Sequence, residues 1–438
     1  MVGAPSRKKV LFVLHNHPSV QPGGSEVYTL NAHERLRDSA EFESVVVARV
    51  EPRGGERADS RFTPLPDDPN QYLVEIEQDG YDFHLQTFRD KSLYTHDFTE
   101  FLAEHKPDVV HFQHHLYIGC DLISTVRRVL PGAPIVYTLN EYLPICSHNG
   151  QLVRTMHNQL CLEASPRRCN ECFPQTSHQD FFLRERFIKS HFSEVDLFIA
   201  PSRFLLERYV DWGISRERIR YLPYGYPPVT RLDDGEPRPR TNFAFFGVMT
   251  PFKGVNVLLR AMERLGPDSP ARLEIHGAGM LRMPDESAEL QGEIESLLAS
   301  LQTVEMCGPY DHDTEMPRLM AQADWVVVPS IWWENSPLVI SESFQYGRPV
   351  ICSDIGGMAE NVTHEVNGLH FNVGNPTSLA ATMQRAATEP GLWERLRAGI
   401  PPVSDIGAHV ETLSEIYREL IERRASAAAD TTSPVLVG

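Results

Sequence analysis

The sequence lacks any apolar run approaching the roughly 20 residues that a membrane-spanning helix needs. It also lacks an excess of positive charge, because 41 lysines and arginines stand against 59 aspartates and glutamates, for a formal net charge of −18. These absences argue against a membrane-spanning protein and against a general binder of nucleic acids or anionic membranes, although a local basic patch is compatible with this balance. We therefore expect no nucleic-acid partner.

Cysteine is scarce and odd in number, with seven in 438 residues. The N-terminal stretch SRKKVLFVLHNHP sets basic residues before an apolar core of about five residues, which is shorter than the roughly 7 to 15 of a signal peptide. The stretch is better explained as a first buried strand. Without an export signal we expect a cytoplasmic protein with reduced cysteines, and peripheral attachment to the inner face of the membrane is the alternative.

The sequence does contain two halves in which short β-branched and leucine-rich runs alternate with helical patterns. Such alternation predicts doubly wound α/β domains built on parallel sheets. The proline-rich stretch PPVTRLDDGEPRPR separates the halves and places the domain boundary near Tyr224 to Arg240. The predicted segments are an N-terminal domain at 1–224 with a cysteine-containing insertion at 143–175, a second domain at 240–403, a helix at 404–424 and a disordered tail at 425–438.

The stretch WWENSPLVISESFQYG places two carboxylates, Glu334 and Glu342, around a predicted helix start. Ser336 suits the N-cap and Pro337 the first helical position, so a helix is predicted from Leu338 to Tyr346, with Glu342 about two turns inside. The amides near Pro337 and Leu338 would face an anion. The pattern predicts a site for a polyhydroxylated, phosphate-bearing ligand. The alternative is a pair of acids on a solvated helix face.

Glycine turns follow the first strand of each half. Gly23 and Gly24 come after the strand at the N-terminus, where missing side chains would let backbone amides approach a ligand. In the second half, Gly247 ends a strand, and Lys253 and Gly254 are predicted to open the next helix. A lysine at this position can neutralise a diphosphate. The alternatives are that Gly23 and Gly24 form an ordinary turn and that Lys253 is a surface lysine at a helix start.

Preceded by the strand DWVVVPS and followed by GRPVICSDIGGMAENV, the E-x7-E pattern resembles the donor site of retaining glycosyltransferases of family four. The resemblance is firmest in the second half. It implies the GT-B fold, with two doubly wound Rossmann-like domains facing a cleft and a C-terminal helix crossing back to the N-terminal domain. By position, it places Glu334 beside the donor sugar, Glu342 on the ribose, Tyr310 at the base, and Gly357 and Glu360 in a loop near the donor.

The chain departs from the pattern of that family at two positions. Where relatives commonly read T-x-H, this chain has Asn140, which can exchange hydrogen bonds with a sugar but cannot carry a proton charge. Where relatives carry an arginine after the glycine turn, this chain has Val248, so Lys253 lacks a second cation. His111 lies in the strand PDVVHFQHH, which ends at the same sheet edge, and it is a further catalytic candidate.

The resemblance implies transfer of a sugar from a nucleotide-diphosphate sugar to an acceptor hydroxyl with retention of configuration, in surface glycan or glycoconjugate synthesis. The acceptor would be a glycan, a lipid-linked molecule or a small molecule. No catalytic metal is expected, because Lys253 and helix N-termini would take the place of a cation at the diphosphate. One alternative is a nucleotide-sugar epimerase, which would need acid and base groups on both faces of a sugar carbon. The other is a sugar-nucleotide binding protein with impaired turnover.

Four of the seven cysteines lie in the insertion, at Cys146, Cys161, Cys169 and Cys172. The pair Cys169-x-x-Cys172 has metal-ligand spacing, and the other two could complete a tetrahedral structural zinc site. Reduced or buried cysteines without a metal are the alternative, since the overall spacing is not that of a standard zinc finger.

The stretch FFLRERFIKSHF, which follows the insertion, interleaves aromatic and basic residues. Such a helix could rest on a membrane surface or meet a lipid-linked acceptor. The alternative is that it packs its aromatic side chains inward.

Overall fold

The chain forms two compact units, residues 1–227 together with 404–438 (unit 1) and residues 228–403 (unit 2). The computed structural model describes residues 7–20, 23–52, 61–156, 159–232, 238–277 and 287–432. The division between Pro227 and Pro228 lies inside the boundary region predicted from the proline-rich stretch. Among the described residues, no helix combines the length and the apolar character that crossing a membrane requires.

The described strands of unit 1 form one large sheet and a small hairpin. They are β1 (Lys8–Leu14), β2 (Phe42–Val50), β3 (Phe62–Pro64), β4 (Gln71–Glu75), β5 (Tyr81–Asp82), β6 (Thr87–Phe88), β7 (Val109–Phe112), β8 (Ile135–Thr138), β9 (Leu197–Ala200) and β10 (Ile219–Tyr221). The large sheet has the order β10-β9-β8-β7-β1-β2-β4-β3. All of its neighbouring pairs are parallel except β3 with β4. Its central strands are buried apolar runs, as expected for a parallel sheet covered on both faces.

Helices alternate with these strands along the chain. They are α1 (Gly24–Leu36), α2 (Phe98–His105), α3 (Asp121–Val129), α4 (Pro166–Cys172), α5 (His178–Phe192) and α6 (Arg203–Asp211). Side-chain caps encoded in the sequence start the later ones: Ser177 and Asp180 form a capping box at α5, and Ser202 caps α6.

Unit 2 repeats the doubly wound pattern with a sheet whose described strands are all parallel. The strands are β11 (Asn242–Phe246), β12 (Arg272–His276), β13 (Val304–Gly308), β14 (Trp325–Val328), β15 (Val350–Ser353) and β16 (Gly368–Phe371), in the order β13-β12-β11-β14-β15-β16. Its helices are α7 (Val255–Leu265), α8 (Ser287–Ser300), α9 (His312–Gln322), α10 (Leu338–Gln345), α11 (Gly356–Asn361), α12 (Pro376–Thr388) and α13 (Leu392–Ala398). Strand β11 sends Phe243 and Phe245 into one core cluster and Ala244 and Phe246 into another, so both faces of the sheet are packed.

The last helix, α14 (Ile406–Thr432), belongs to unit 1. Leu413, Tyr417 and Leu420 of this helix are buried in the same core cluster as Phe12 and Val46 of the sheet. The predicted return of the C-terminal helix to the N-terminal domain is therefore confirmed. The helix continues past its predicted end at 424, so the tail predicted as disordered from 425 is helical as far as Thr432, and residues 433–438 lie outside the described part.

Candidate functional site

In unit 2, the strand order reverses between β11 and β14. β12 and β13 lie on one side of β11, whereas β14, β15 and β16 lie on the other. Open parallel sheets bind ligands outside the carboxyl ends of their strands at such a reversal. Lys253 follows β11 and Glu334 follows β14, so both residues leave the sheet at this point.

The side chains of Lys253 and Glu334 form a direct ion pair. Nζ of Lys253 donates a hydrogen bond to Oε1 of Glu334 at 2.6 Å. The same carboxylate oxygen accepts bonds from Oγ of Ser330 at 2.7 Å and from the indole Nε1 of Trp332 at 3.0 Å. The Glu334 side chain is 7% exposed and that of Lys253 is 33% exposed. Three donors thus fix a buried carboxylate, while the lysine side chain that it holds is partly exposed.

A glycine lets the loop after β11 approach the loop after β14. Gly254 adopts a φ of 71°, a left-handed conformation, and a Cβ at this position would overlap the carbonyl oxygen of Pro329. Close to this contact, the N–H of Ile331 donates to the carbonyl oxygen of Phe252 at 2.9 Å. The two loops that carry Lys253 and Glu334 are therefore joined through their backbones.

The start of α7 differs from the prediction. Lys253 ends a short 3-10 turn, Pro251–Lys253, and α7 begins at Val255. The lysine therefore precedes the helix instead of opening it. Gly247 directly follows β11 with a φ of 142°, and its N–H donates to the carbonyl oxygen of His276 at 3.0 Å. This bond keeps the glycine turn against β12.

Gly357 supports the loop that carries Glu334. Its N–H donates to the carbonyl oxygen of Glu334 at 2.8 Å, and a Cβ at this position would overlap the carbonyl oxygen of Asn335. Gly357 and Glu360 were predicted to lie in a loop, but both lie in α11. The prediction was wrong because the missing Cβ of Gly357 allows a helix start to pack directly on the loop backbone.

Glu342 interacts with two side chains that follow β13. Nε2 of His312 lies 3.1 Å from Oε1 of Glu342, and this hydrogen bond raises the pKa of His312 to about 9. Burial, and then the charge of Glu342, raise the pKa of Tyr310, whose ring packs against that of Phe246. The sequence analysis missed His312. Its position at a helix start, directly after the cap Asp311, was the signal that could have identified it.

The start of α10 is also shifted relative to the prediction. The helix runs from Leu338 to Gln345, and Pro337 rather than Ser336 is its N-cap, without a side-chain hydrogen bond. Glu342 is the fifth residue of the helix, which places it a little over one turn inside instead of two. The carboxylate is therefore nearer to the helix start than predicted.

Unit 1 has its own strand reversal, between β1 and β7, and a row of titratable side chains lies there. His15 follows β1, and its Nδ1 lies 2.9 Å from Oε1 of Glu26 in α1. The rings of His15 and His114 are 4.1 Å apart between centroids. Nε2 of His114 in turn lies 3.6 Å from Oε1 of Glu141. Four segments of the chain thus contribute one continuous row in the spatial order Glu26, His15, His114 and Glu141.

Burial and pairing set the charges along this row. Burial alone would raise the pKa of Glu26, but the hydrogen bond and the charge of His15 outweigh it and hold that pKa below its usual value. Burial raises the pKa of Glu141 to about 8 and lowers the pKa of His114 well below its usual value. The two carboxyl groups at the ends of the row thus differ in acidity, with the pKa of Glu26 lowered and that of Glu141 raised.

Gly23 and Gly24 lie at the start of α1, beside this row. Gly23 is the N-cap and has an extended backbone, and a Cβ there would overlap the carboxylate of Glu26. The missing side chain therefore leaves the room in which Glu26 meets His15.

Asn140 lies after β8, next to the same row. Its Nδ2 donates to the carbonyl oxygen of Gln113 at 2.6 Å, and its Oδ1 accepts a hydrogen bond from the hydroxyl of Tyr224. The amide is thus held in one orientation at the carboxyl edge of the sheet.

His111, the other predicted catalytic residue of this half, lies inside β7 and is fully buried. Its Nδ1 lies 2.7 Å from the hydroxyl of Tyr417, and its Nε2 lies 2.7 Å from Oγ1 of Thr138. Burial lowers its pKa to about 3. The residue does not reach the sheet edge, because it precedes the end of the strand and α14 covers it. This packing favours a structural role over the predicted catalytic one.

Two family models match the chain, one in each unit. Residues 23–225 match the Glycosyl transferase 4-like domain, and residues 240–389 match Glycosyl transferases group 1. Together the matches cover most of both sheets and the strand reversal of unit 2, whereas β1 of unit 1 precedes the first match.

Individual relatives are also glycosyltransferases by name. The chain is 34% identical over 150 residues to an uncharacterized glycosyltransferase of Methanocaldococcus jannaschii, which is 34% of this chain and 36% of that protein. It is 28% identical over 422 residues to a D-inositol 3-phosphate glycosyltransferase of Nocardioides sp., which is 90% of this chain and 85% of that protein. The chain thus matches about a third of the length of the first relative and most of the second.

Solved structures share the fold over nearly the whole chain. The Anabaena protein HepE in complex with UDP and glucose has a TM-score of 0.65 at 17% identity, over 94% of this chain and 100% of that one. Sucrose-phosphate synthase from Thermosynechococcus elongatus has a TM-score of 0.70 at 18% identity, over 95% and 100%. These likenesses confirm the predicted GT-B fold with its two Rossmann-like domains. The N-terminal half matches the Glycosyl transferase 4-like model and the C-terminal half matches the Glycosyl transferases group 1 model, so the chain belongs to this glycosyltransferase family.

Proposed function

We propose that the chain transfers a sugar from a nucleotide-diphosphate sugar to an acceptor hydroxyl with retention of configuration, and that unit 2 binds the donor. The observation that carries this proposal is the pair of Lys253 and Glu334 at the strand reversal of unit 2. A partly exposed lysine side chain held by a buried carboxylate supplies a fixed cation, placed where sheets of this kind bind ligands. The HepE structure, which holds UDP and glucose, supports a nucleotide-sugar donor.

The charge of Lys253 would act on the leaving diphosphate. That group gains negative charge as its bond to the sugar breaks, and a cation already in place stabilises the charged state without reorganisation. The backbone amides at the start of α10 add partial positive charge. These groups support a reaction that needs no catalytic metal.

Retention requires that the acceptor approach the sugar from the same face from which the leaving group departs. On this face the leaving phosphate itself can take the proton of the acceptor hydroxyl, so a side-chain base is not required there. Glu334 accepts hydrogen bonds from the donor sugar and holds Lys253 in position.

The nucleoside part of the donor would bind at Glu342 and Tyr310. A carboxylate accepts hydrogen bonds from both hydroxyls of a ribose, and the ring of Tyr310 offers a flat apolar surface to the base. His312 lies against Glu342 and so orients its carboxylate. Together these three side chains would recognise the ribose and the base of a ribonucleotide.

The acceptor-side groups would come from unit 1. The row of His15, Glu26, His114 and Glu141 offers hydrogen-bond partners of both kinds, and Asn140 lies beside it. Such a lining suits a sugar-like hydroxyl acceptor, whether a glycan, a lipid-linked molecule or a small molecule. A role in surface glycan or glycoconjugate synthesis fits this chemistry.

A peripheral membrane contact would suit a lipid-linked acceptor. In α5, Phe181 is buried, whereas the side chains of Phe182 and Leu183 are 54% and 58% exposed. The neighbouring Arg186 is exposed as well. An outward apolar pair beside a cation is the arrangement that interfacial helices use at anionic lipid surfaces.

Nucleotide release tests the proposal. Purified protein is incubated with a panel of nucleotide sugars, first in a thermal-shift screen, where a ligand at 100 times its dissociation constant adds about 2.7 kcal/mol of stability. The donor that stabilises the protein is then tested for release of nucleoside diphosphate with glycan and lipid-linked acceptors. Acceptor-dependent release, with the anomeric configuration retained by NMR, supports the proposal. A new nucleotide sugar would indicate an epimerase, and stabilisation without release from any acceptor would indicate a binding protein.

A further inference from the structure

We propose that Cys146, Cys161, Cys169 and Cys172 bind one structural zinc ion, which holds the insertion of unit 1 together. All four side chains line one small cavity of about 20 Å³. A cavity needs roughly 10 to 15 Å³ to hold a single water molecule, so this cavity has room for one metal ion. Four sulfur ligands around such a space are the donor set that structural zinc prefers.

Local structure in the insertion brings these four residues to the wall of one cavity. Cys169 and Cys172 are three residues apart in α4, which puts them on one face of that helix. Cys161 ends a short antiparallel ladder, where its N–H donates to the carbonyl oxygen of Leu152 at 2.7 Å. Cys146 lies in a turn whose N–H donates to the carbonyl oxygen of Tyr142 at 2.8 Å. A helix without buried residues, a ladder and a turn thus meet at the same cavity.

One of the four thiols has a hydrogen bond that metal binding would replace. Sγ of Cys161 donates to the carbonyl oxygen of Glu163 at 3.1 Å. Because zinc binds the thiolate, this thiol would give up that bond and release its proton to solvent when the metal binds.

Positive charge lies beside the cavity to balance a zinc-thiolate centre. Four thiolates and one Zn²⁺ carry roughly two negative charges. Arg154 and Arg168 line the cavity, but each already forms an ion pair with a glutamate, Glu171 or Glu163. The buried Arg184 interacts electrostatically with Cys146 and Cys169, so its guanidinium can offset part of the negative charge without competing as a ligand.

The sulfurs must move closer to reach the zinc geometry. Zinc-sulfur bonds of about 2.3 Å place tetrahedral ligands within about 4 Å of one another. Among the residues that the structure describes, the one group with three ligand atoms within 4.8 Å is Glu274, His276 and Cys307, in unit 2. Binding at the four cysteines therefore requires rotation of their side chains into the cavity. The group in unit 2 is an alternative metal site, and the experiment must distinguish it from the four cysteines.

The zinc site would position part of the acceptor-side machinery. The carbonyl oxygens of Leu143 and Pro144 accept hydrogen bonds from Arg184 at 2.6 and 2.7 Å. These residues lie between Cys146 and Glu141, the end of the row at the strand reversal. A zinc ion that holds the insertion in place would therefore also hold in place the segment that follows β8.

The first experiment measures metal content. The full chain is purified without added metal, and zinc is quantified by inductively coupled plasma mass spectrometry in the wild type, in Cys169→Ser/Cys172→Ser and in Cys307→Ser. We expect about one zinc per chain in the wild type and in Cys307→Ser, and loss of zinc from the double variant. Zinc-free wild-type protein that is folded would overturn the proposal. Loss of zinc from Cys307→Ser with retention in the double variant would place the ion in unit 2 and overturn it as well.

A second measurement does not depend on whether the double variant folds. Wild-type protein is stripped with a chelator and titrated with Co²⁺, whose absorption spectrum reports tetrahedral coordination and the number of thiolate ligands. The expected spectrum is that of four thiolates, with four fewer thiols accessible to a thiol reagent after binding. A spectrum without thiolate-to-cobalt charge transfer, or unchanged thiol reactivity, contradicts the site. Neither readout depends on glycosyl transfer.

Discussion

The ammonium nitrogen of Lys253 lies 2.6 Å from Oε1 of Glu334, although 81 positions of sequence separate the two residues. The carboxylate is buried and also accepts bonds from Ser330 and Trp332, so it can hold the lysine in one orientation. By the resemblance, Val248 stands where relatives usually carry an arginine, and this residue is 38% exposed. The positive charge at this position therefore depends on Lys253 and on the carboxylate that orients it.

Replacement of Lys253 by alanine tests that dependence. We expect Lys253→Ala to lower kcat by about a hundredfold to a thousandfold, because it removes a preorganised donor that acts on developing charge. Steady-state kinetics with the identified donor provides the measurement. Lys8→Ala is a matched control, since Lys8 is 35% exposed and also lies near a carboxylate, Glu41, but at the start of β1. Turnover of Lys253→Ala within a few-fold of wild type would contradict the assigned role.

Introduction of an arginine at position 248 tests the effect of a second cation beside Lys253. We expect Val248→Arg to leave kcat equal to that of the wild type or higher, because a second cation adds to the same stabilisation. A large decrease in kcat, with an unchanged melting temperature, would show that the site does not accommodate a second positive charge.

Glu342 is expected to act on donor binding more than on chemistry. A hydrogen bond to a charged group contributes roughly 1.5 to 3 kcal/mol, so Glu342→Ala should weaken nucleotide affinity on the order of tenfold to a hundredfold. Isothermal titration calorimetry with the nucleoside diphosphate measures this change. The control is Glu315→Ala, which removes a more exposed carboxylate from α9. Unchanged nucleotide affinity in Glu342→Ala would rule out the ribose contact.

The pair of His312 and Glu342 predicts a pH dependence of stability. The folded pKa of His312, about 9, lies above the usual value of 6.5, so the pair contributes its full stability below about pH 6.5 and loses it as the pH rises through about 9. The difference in melting temperature between wild type and His312→Gln should therefore shrink between about pH 6 and pH 10. A difference that stays constant over this range would show that the histidine does not titrate against Glu342.

Gly357 offers a test of the loop that carries Glu334. We expect Gly357→Ala to destabilise the protein by more than about 1 kcal/mol and to lower activity, because its Cβ would displace the backbone at Asn335. Gly292→Ala is the control, since Gly292 lies in α8 with nothing within 4 Å of an added Cβ. This change should be neutral or stabilise by about 0.5 to 1 kcal/mol. Equal stability of the two variants by chemical denaturation would contradict the packing role of Gly357.

Features that depend on local chemistry could be predicted from the sequence. The two doubly wound halves follow from buried strand runs and glycine turns, and the E-x7-E pattern locates Glu334 and Glu342 around a helix start. The boundaries were less accurate, since Ser336 does not cap α10 and α11 replaces a predicted loop. The second error arises where close backbone packing at Gly357 outweighs the local preference of a residue.

The partners of the site residues depend on strand order, which periodicity does not reveal. The amino acid sequence by itself determined the fold class and the candidate residues, because turn glycines, caps and apolar periods act over a few positions. Only the tertiary structure paired Lys253 with Glu334 and Glu342 with His312, and only burial under α14 removed His111 from the sheet edge. The physical reason is that a strand reversal brings distant loops together, and burial then decides which titratable groups stay charged.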